Sequence, residues 1–400
     1  MRPLETTTAL AGFNGRGPGT DAERRAARWL AGQLAGNRGH RVRVETFWCR
    51  PNWALAHAWH VALALVGSLV AVGHPAIGAA LLGLALISTA ADATIGLSLG
   101  RRLTPERASQ NVVAGGRREA GAVEPARLIV TANYDAGRAG LIYKDALRAT
   151  AARLNRAIGG RGPGWLAWLS ITIACELAIA AARLTDPHPP AFLGAVQLPP
   201  TVALVLALAL LLEAAGAGYG PAAGDNGTGV AIAIALTRAL AADPPRNLTV
   251  ELVLQGAGES EGLGLRAYLR AHKREVRGST AVVLGVAASG AGQATWWLSD
   301  GWLVPVRYAS SLRALGAQTG AASHRGRGGT PALPARAAGL PAIAIGCLDG
   351  RGLAPRSHQR ADTVESVDEA ALDRTLELGL ALAHAIDASL QTMEAAATPA

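Results

Sequence analysis

Two glutamates lie close together in the stretch GAGESEGLGLRAYLR, residues 256–270, which follows the strand-like run NLTVELVLQ. Three glycines between a strand and a helix would suit a phosphate-binding turn, whose backbone amides hold an anion. Glu259 and Glu261 would instead suit the carboxylate site of a metal-dependent hydrolase. The residue types in this turn therefore leave two kinds of chemistry open.

The phosphate-binding alternative fits the surrounding residues poorly. Two carboxylates at the start of a helix would compete for its positive end and repel a phosphate. The next strand-like run, AVVLGVAASG, ends without the acidic residue that would hold a ribose. A carboxylate site is therefore favoured, and a nucleotide-binding protein is the more distant alternative.

Four other motifs extend along the polar part of the chain. They are SQNVVAGG, IVTANYDAG, PAAGDNGTGVAIAIALTRAL and SHQRADTVESVD, and VLQGAGESEGLGLRAYL falls between the last two. In this order the five motifs resemble the clan MH zinc exopeptidases, the co-catalytic zinc aminopeptidase family (peptidase family twenty-eight) that also contains glutaminyl cyclase and transferrin-receptor-like members. The resemblance covers most of the polar sequence and implies the zinc-aminopeptidase fold.

The resemblance assigns roles to residues that this chain retains. Glu259 matches the first glutamate of the family's E-E-x-G-L turn and would be the general base. Asp225 matches the bridging aspartate of a D-N-x-S/T-G motif, and His358 matches the histidine ligand before D-T, so both would bind metal. Asp135 and Asp362 would lie behind the metals.

Three other positions of the family's metal site have lost their ligands. Asn133 replaces a histidine, Ser260 replaces the second glutamate, and Ala287 replaces an aspartate. Glu261 lies one residue beyond the lost glutamate and is a candidate substitute ligand if a local bulge redirects it.

The number of remaining ligands limits the chemistry. Each zinc in such a site needs about three protein ligands and a water. The retained residues offer one good ligand to one metal and two to the other, so we expect no zinc or at most one weakly bound zinc.

Without a Lewis acid, Glu259 alone cannot lower the barrier to amide hydrolysis. The resemblance therefore favours a non-catalytic protein that binds a peptide or protein ligand or acts as a scaffold. A divergent metallo-exopeptidase (aminopeptidase) with one rebuilt zinc site is the alternative.

Two long apolar tracts interrupt the polar motifs, at residues 53–99 and 165–213. Each contains two spans of about 20 residues, the length of a membrane-crossing helix, and buried helices of a large soluble core are the alternative. Four polar groups lie within the tracts, where we expect them to form bonds between helices. They are His57, His60, Asp92 and Glu176.

The polar segments 1–50, 104–150 and 218–392 alternate strand-like and helical patterns, which predicts one discontinuous α/β domain. Its sheet should be mixed and mostly parallel, sandwiched by helices, with the two apolar hairpins inserted as transmembrane hairpins. Residues 393–400 read as a disordered tail.

Charge and cysteine content limit the cellular location and the binding partners that the protein could have. The net charge of +9 comes mainly from scattered arginines, and no dense basic patch with aromatics appears, so no nucleic-acid partner is expected. Arginines cluster on the side of the spans that carries the termini, whereas the hairpin tips carry only Arg183. We therefore expect a multi-pass protein of the cell membrane, in contact with the lipid bilayer, with a cytoplasmic globular domain. Three cysteines without paired spacing fit a reducing compartment.

Overall fold

The computed structural model of the protein describes residues 1–35, 40–116, 126–160, 162–185, 190 and 192–397. Within these residues, nine strands form one sheet. The strands are β1 (His40–Cys49), β2 (Arg107–Gly116), β3 (Ala126–Asn133), β4 (Leu248–Gln255), β5 (Ala281–Val286), β6 (Gln293–Asp300), β7 (Val306–Arg307), β8 (Ala322–Arg325) and β9 (Ala342–Leu348).

The sheet is mixed, with the order β1-β2-β4-β3-β5-β9-β6-β7, and β8 pairs with β6. Its centre is parallel, because β4, β3, β5 and β9 run in one direction. The pairs β1–β2, β2–β4, β9–β6 and β6–β7 are antiparallel. The predicted mixed α/β fold is confirmed, and parallel pairing is confined to the central strands and to β6–β8.

Helices cover both faces of the sheet and also form a separate apolar bundle. The helices are α1 (Pro3–Ala11), α2 (Asp21–Ala35), α3 (Trp53–Gly73), α4 (Pro75–Ile95), α5 (Leu99–Arg102), α6 (Asp145–Ala157), α7 (Trp165–Leu184), α8 (Phe192–Gly216), α9 (Thr228–Ala242), α10 (Leu263–Ala271), α11 (Lys273–Gly278), α12 (Ser310–Gln318), α13 (Leu333–Ala337) and α14 (Glu369–Ala397).

Side-chain alternation along the central strands builds two cores. Leu128 and Val130 of β3 pack with residues of α1, α2, α9 and α14 on one face. Ile129, between them, packs with Leu265 and Tyr268 of α10 on the other. Successive strand residues point to opposite faces, so a strand that is buried on both sides reads as a continuous apolar run.

The bundle consists of α3, α4, α7 and α8. Within the described residues, these four helices are long and apolar enough to cross a membrane. The first predicted tract, 53–99, ends as a helix at Ile95, because Gly96 adopts a left-handed φ of 71° and caps α4. The second, 165–213, continues to Gly216, because the residues Glu213 to Ala215 are good helix formers.

The apolar hairpin α3–α4 is inserted at the end of a strand pair. Cys49, the last residue of β1, pairs with Arg107, the first residue of β2. Both ends of the hairpin therefore return to one edge of the sheet. Arg50 reinforces this junction by donating a hydrogen bond to the carbonyl of Arg102 at 3.0 Å.

The C-terminal helix is longer than the sequence predicts. α14 extends to Ala397, whereas a disordered tail was expected from residue 393. The run MEAAA consists of strong helix formers that continue the preceding turns, which explains the difference. Residues 398–400 of the predicted tail lie outside the described residues.

A polar cluster lies inside the apolar bundle and joins three of its helices. Glu176 of α7 accepts hydrogen bonds from Ser68 of α3 at 3.0 Å and from Thr201 of α8 at 2.7 Å. Gln197 donates to the Ser68 hydroxyl at 2.7 Å. The bonding expected of Glu176 thus links α3, α7 and α8.

Replacement of Glu176 should destabilise the bundle. Glu176→Ala removes the carboxylate that accepts from the buried Ser68 hydroxyl and from the half-buried Thr201 hydroxyl. We expect the free energy of unfolding to fall by about 1 kcal/mol, with a further loss from the cavity. Glu176→Gln should cost less, because its amide can still bond both hydroxyls. Thermal unfolding in detergent measures the effect, and Cys175→Ala, at the exposed neighbour on the same helix, is the matched control. Equal losses in Glu176→Ala and Cys175→Ala would contradict this role.

Candidate functional site

A buried carboxylate fixes the backbone of the turn after β4. Asp135 accepts the backbone N–H groups of Gly258 at 2.8 Å and Glu259 at 3.0 Å. A Cβ on Gly258 would lie 2.3 Å from the side chain of Asn133, so only glycine allows this close approach. The turn therefore presents Glu259 beside the end of β3.

Asp225 and His358 reach the same region from two loops. Asp362 accepts the N–H groups of Gly224 at 2.7 Å and Asp225 at 2.9 Å, which fixes the loop before α9. His358 adopts a φ of 59°, a conformation that costs a non-glycine residue about 1–3 kcal/mol. Its ring stacks on Tyr143 with the ring centroids 4.3 Å apart, and this contact helps to hold it.

These three side chains converge. The Nε2 atom of His358 lies 3.0 Å from Oε2 of Glu259 and 3.8 Å from Oδ2 of Asp225. The other Glu259 oxygen accepts hydrogen bonds from the amide groups of Asn133 at 2.9 Å and Asn226 at 2.6 Å. Glu259 is thus surrounded by three donors from different loops.

The charges of this cluster depend on one another. Burial alone would raise the pKa of Glu259, but the hydrogen bond and charge of His358, with the amide of Asn133, hold it below its usual value. Burial opposes protonation of His358, yet the hydrogen bond and charge of Glu259, together with the charge of Asp225, raise its pKa. Burial and the nearby Glu259 raise the pKa of Asp225. Glu259 and His358 therefore stabilise each other's charged form.

A buried arginine lies behind the cluster. Arg16 is fully buried and donates to four backbone carbonyls, among them those of Tyr134 at 2.9 Å and Ala222 at 2.6 Å. Burial lowers its pKa to about 10, against the opposing charges of Asp135 and Asp362. The pKa of Asp362 itself is raised to about 6, mainly by burial. Arg16 therefore offsets part of the negative charge beneath the site.

The three positions predicted to have lost ligands serve other purposes. Asn133 donates to Glu259, as described. Ser260 is buried and donates its hydroxyl hydrogen to the carbonyl of Pro51 at 2.6 Å, at the junction with α3. Ala287 lines the cavity next to Asp225 and offers no donor atom.

Glu261, the candidate substitute ligand, points toward the apolar hairpin. With a φ of 64°, it forms a buried ion pair with Arg101 of α5. Arg101 also binds Asp92 of α4 through two hydrogen bonds of 2.6 and 2.8 Å. His57 of α3 lies 3.4 Å from both carboxylates. Within the described residues, His57, Asp92 and Glu261 are the one group of such side chains whose ligand atoms are close enough to share a metal ion.

The hydrogen bonds around His57 define where its proton lies. The N–H of Gly100 donates to Nε2 of His60 at 3.2 Å, so that atom is an acceptor. The proton of neutral His60 then lies on Nδ1, 3.3 Å from Nδ1 of His57, which must accept it. His57 is left with its proton on Nε2, aimed at Asp92 and Glu261. A metal at this Nε2 would leave the ring without a proton, so the arrangement fits an ion-pair cluster better than a metal site.

A cavity of about 300 Å³ opens above the retained residues. Its polar lining includes Asp225, Glu259, Glu261 and His358, and four aromatic residues also line it. The aromatic residues are Trp53, Tyr143, Trp165 and Trp302. Two of these tryptophans begin α3 and α7, so the apolar bundle contributes to the cavity.

Sequence reasoning missed several residues of this region. Asn226 and Ser357, which donates to Asp225, are the chain neighbours of predicted residues and could have been found by that proximity. Tyr143 and Arg101 lie in segments without a motif, and their roles depend on folding alone.

Comparisons with known proteins agree with this fold. Residues 212–383 match the sequence profile of peptidase family M28. The chain is similar to a zinc aminopeptidase from Bacillus subtilis, with a TM-score of 0.53 and 13% identity, over 96% of this chain and 94% of that one. It is also similar to an aminopeptidase from Aneurinibacillus sp. strain AM-1, with a TM-score of 0.53 and 13% identity, over 96% and 92% of the two chains. Glutaminyl cyclase from Porphyromonas gingivalis gives a TM-score of 0.50 and 16% identity, over 97% of each chain. No curated protein sequence matches this chain significantly. The resemblance predicted from the sequence motifs is confirmed.

Removal of Arg101 should destabilise the protein strongly. Arg101→Gln leaves Asp92 and Glu261 buried without their shared cation, and we expect the free energy of unfolding to fall by about 3–5 kcal/mol. Thermal unfolding of the full chain in detergent measures this loss. Arg102→Gln, at an exposed neighbour, removes the same charge and should change stability by less than about 0.5 kcal/mol. Equal melting temperatures for the Arg101 variant and the unaltered protein would contradict the role of this cluster.

Proposed function

We propose that this chain is a membrane-anchored, metallopeptidase-like protein with a degenerate metal site, and the match of residues 212–383 to the profile of peptidase family M28 supports this. Its role is to bind a ligand or to act as a scaffold rather than to hydrolyse peptides. The base position is Glu259, and the retained metal positions are Asp225 and His358.

The bonding of Glu259 carries this proposal. A general base must be free to accept a proton from the attacking water. Here the carboxylate accepts from Asn133 and Asn226 and lies 3.0 Å from Nε2 of His358. These donors offset the buried charge that metal ions would otherwise offset. A carboxylate with a lowered pKa and three donors is a weak base.

The residues present do not fit the two zinc ions of such a family site. Asn133, Ser260 and Ala287 replace three ligands, and the hydroxyl of Ser260 is committed to Pro51. Zinc requires about three protein ligands for each ion. We therefore propose no zinc, or at most one weakly bound ion.

A divergent metallo-exopeptidase with one rebuilt zinc site is the second candidate. It is favoured by the retention of Asp225, Glu259 and His358 around one cavity, and by the spacing of the ligand atoms of His57, Asp92 and Glu261. The ion pair of Arg101 with Asp92 and Glu261 argues against it, because the same oxygens would have to serve a metal.

The charge of the cavity indicates the kind of ligand. The carboxylates of Asp225 and Glu259 outnumber the one imidazole beside them, which favours a ligand that brings a positive group. The amino group of a peptide or protein has this chemistry, and the tryptophans that line the same cavity can cover an apolar side chain. No nucleic-acid partner is proposed.

The four apolar helices support insertion in the cell membrane, with the lipid bilayer as partner. Arginines on the side of the polar domain support a cytoplasmic location for that domain. Lipid contact would also cover the exposed apolar side chains of α8, such as Leu198 and Leu206.

Zinc analysis tests the degenerate site. Purified full-length protein should contain substoichiometric zinc and should not hydrolyse aminoacyl substrates, because the ligand set is incomplete. Elemental mass spectrometry and a chromogenic aminopeptidase assay measure the two quantities. About two zinc ions per chain, or hydrolysis that Glu259→Gln abolishes, would reject the proposal.

Restoring two of the lost zinc ligands tests the same proposal by gain of function. Asn133→His with Ala287→Asp completes, around Asp225, the three-ligand set that the family resemblance implies. We expect this double variant to gain about one zinc per chain. Asn133→His with Ala287→Asn is the matched control, since it has nearly the same volume but lacks the added carboxylate. Equal zinc content in the two double variants would mean that the site has lost the family's geometry.

Membrane insertion is tested by extraction of membranes with alkaline carbonate. The intact chain should remain in the membrane pellet and should be released only by detergent, because four apolar helices bury their side chains in lipid. Release by carbonate or by high salt would reject the proposed spans.

A further inference from the structure

A second cavity, of about 520 Å³, lies between α6, the start of α7 and the polar domain. It adjoins the first cavity and shares part of its lining, including Asp225, Ala287 and Ser357. Its volume is in the range of small-molecule sites.

Two arginines in this second cavity have unused hydrogen-bond donors. Arg148 of α6 donates from Nη2 to the carbonyl of Ala354 at 2.8 Å, while its Nη1 is buried without a partner. Arg327 is half-buried, and no acceptor within the described residues bonds its guanidinium. Burial lowers the pKa of each arginine. Within the described residues neither guanidinium forms an ion pair, and Asp225 and Asp145 act on Arg148 only through their charge. A partly buried guanidinium favours a directly bonded anion.

The acidic groups of this region are already engaged. Asp300 accepts the N–H groups of Gly328 at 2.9 Å and Thr330 at 2.6 Å. Arg351 forms ion pairs with Asp145 at 3.0 Å and with Asp349 at 2.8 Å. Asp225 accepts from Ser357 and lies near His358, as described. An anion from outside the chain would therefore bond the unpartnered Nη1 of Arg148 and the guanidinium of Arg327.

The other side of the second cavity is apolar and faces outward. Leu154 and Ile158, at the end of α6, have exposed fractions of 63% and 49%, and Trp168 of α7 has 52%. α7 is one of the four apolar helices, so this side of the cavity lies where α7 would enter the bilayer. Tryptophan is enriched at that depth of a membrane, and exposed apolar groups of an amphipathic helix are covered by lipid there.

We propose that the second cavity binds the anionic head group of a membrane lipid. Arg148 and Arg327 would bond the phosphate oxygens, and the acyl chains would follow Leu154, Ile158 and Trp168 into the bilayer. Guanidinium groups bind phosphate through paired, charge-assisted hydrogen bonds. This assignment rests on the proposed membrane insertion, and it gives the chain a lipid ligand separate from the peptide ligand of the first cavity.

Native mass spectrometry of the detergent-solubilised full chain tests the assignment. The protein is mixed with equal amounts of dioleoyl phosphatidylglycerol and dioleoyl phosphatidylcholine. We expect one retained phosphatidylglycerol per chain, favoured at least about tenfold over phosphatidylcholine, because only its head group has a net charge. Arg148→Gln and Arg327→Gln should each reduce retention about tenfold, the effect of losing one charge-assisted bond.

Arg153→Gln is the matched control. Arg153 is exposed on the same helix and does not line the second cavity, so its loss should leave retention unchanged. An equal loss in this variant, or equal retention of the two lipids, would overturn the assignment. Inorganic phosphate is the third arm: if it binds and depends on Arg148 and Arg327 while phosphatidylglycerol does not bind, the site takes a free anion and the lipid assignment is wrong. Melting temperatures of the variants, compared with that of the control, separate loss of binding from loss of folding.

The lipid assignment and the proposed function fail in different ways. Zinc content and peptide hydrolysis on the same preparations test the degenerate metal site and do not depend on lipid retention. Release of the chain by carbonate would reject membrane insertion. A chain that stays in the membrane, lacks zinc and retains no phosphatidylglycerol would reject the lipid site alone.

Discussion

The ion cluster around Arg101 connects the apolar bundle to the peptidase-like turn. Arg101 binds Asp92 of α4 and Glu261 of the turn after β4, and all three are almost fully buried. Removing charges from water costs several kcal/mol per ion unless each has its partner. The hairpin and the turn can therefore be buried against each other only in the arrangement in which these groups meet. This constraint also sets Ser260 against Pro51, away from the retained residues.

The retained residues lie close together and share the amide donors around Glu259, while Nδ1 of His358 and the Oδ1 atoms of Asn133 and Asn226 are buried without a partner. Without donors from the surrounding loops, the carboxylates of Asp225 and Glu259 would repel each other, and His358 would be their one partner. Asn133 and Asn226 supply amide hydrogens to Glu259 from the positions that flank it. An amide that replaces a ligand can therefore preserve the folded loops, since it satisfies the carboxylate that a metal-bound water would otherwise satisfy.

Local patterns predicted much of this molecule. Alternating strand-like and helical patterns identified the α/β domain, and the length of the apolar tracts identified the four long helices, because each signal comes from one element. The family resemblance of the motifs pointed to Asp225, Glu259 and His358, which the structure brings together. The direction of Glu261 and the role of Arg101 could not be predicted, because they depend on which loops meet after folding. β6, with adjacent tryptophans buried on opposite faces of the sheet, was missed because its run QATWWLSD mixes polar and apolar residues.

The insertion of α3–α4 between β1 and β2 has a consequence for the order of assembly. These two strands are neighbours in the sheet, yet a long segment separates Cys49 from Arg107 in the chain. Packing of the two helices uses contacts that are close in sequence and brings those ends together, so the strand pair need not close a long flexible loop. β4 pairs with the other edge of β2, and it is synthesised only after the second hairpin. The helices therefore keep β1 and β2 close together while the later strands of the sheet are still being synthesised.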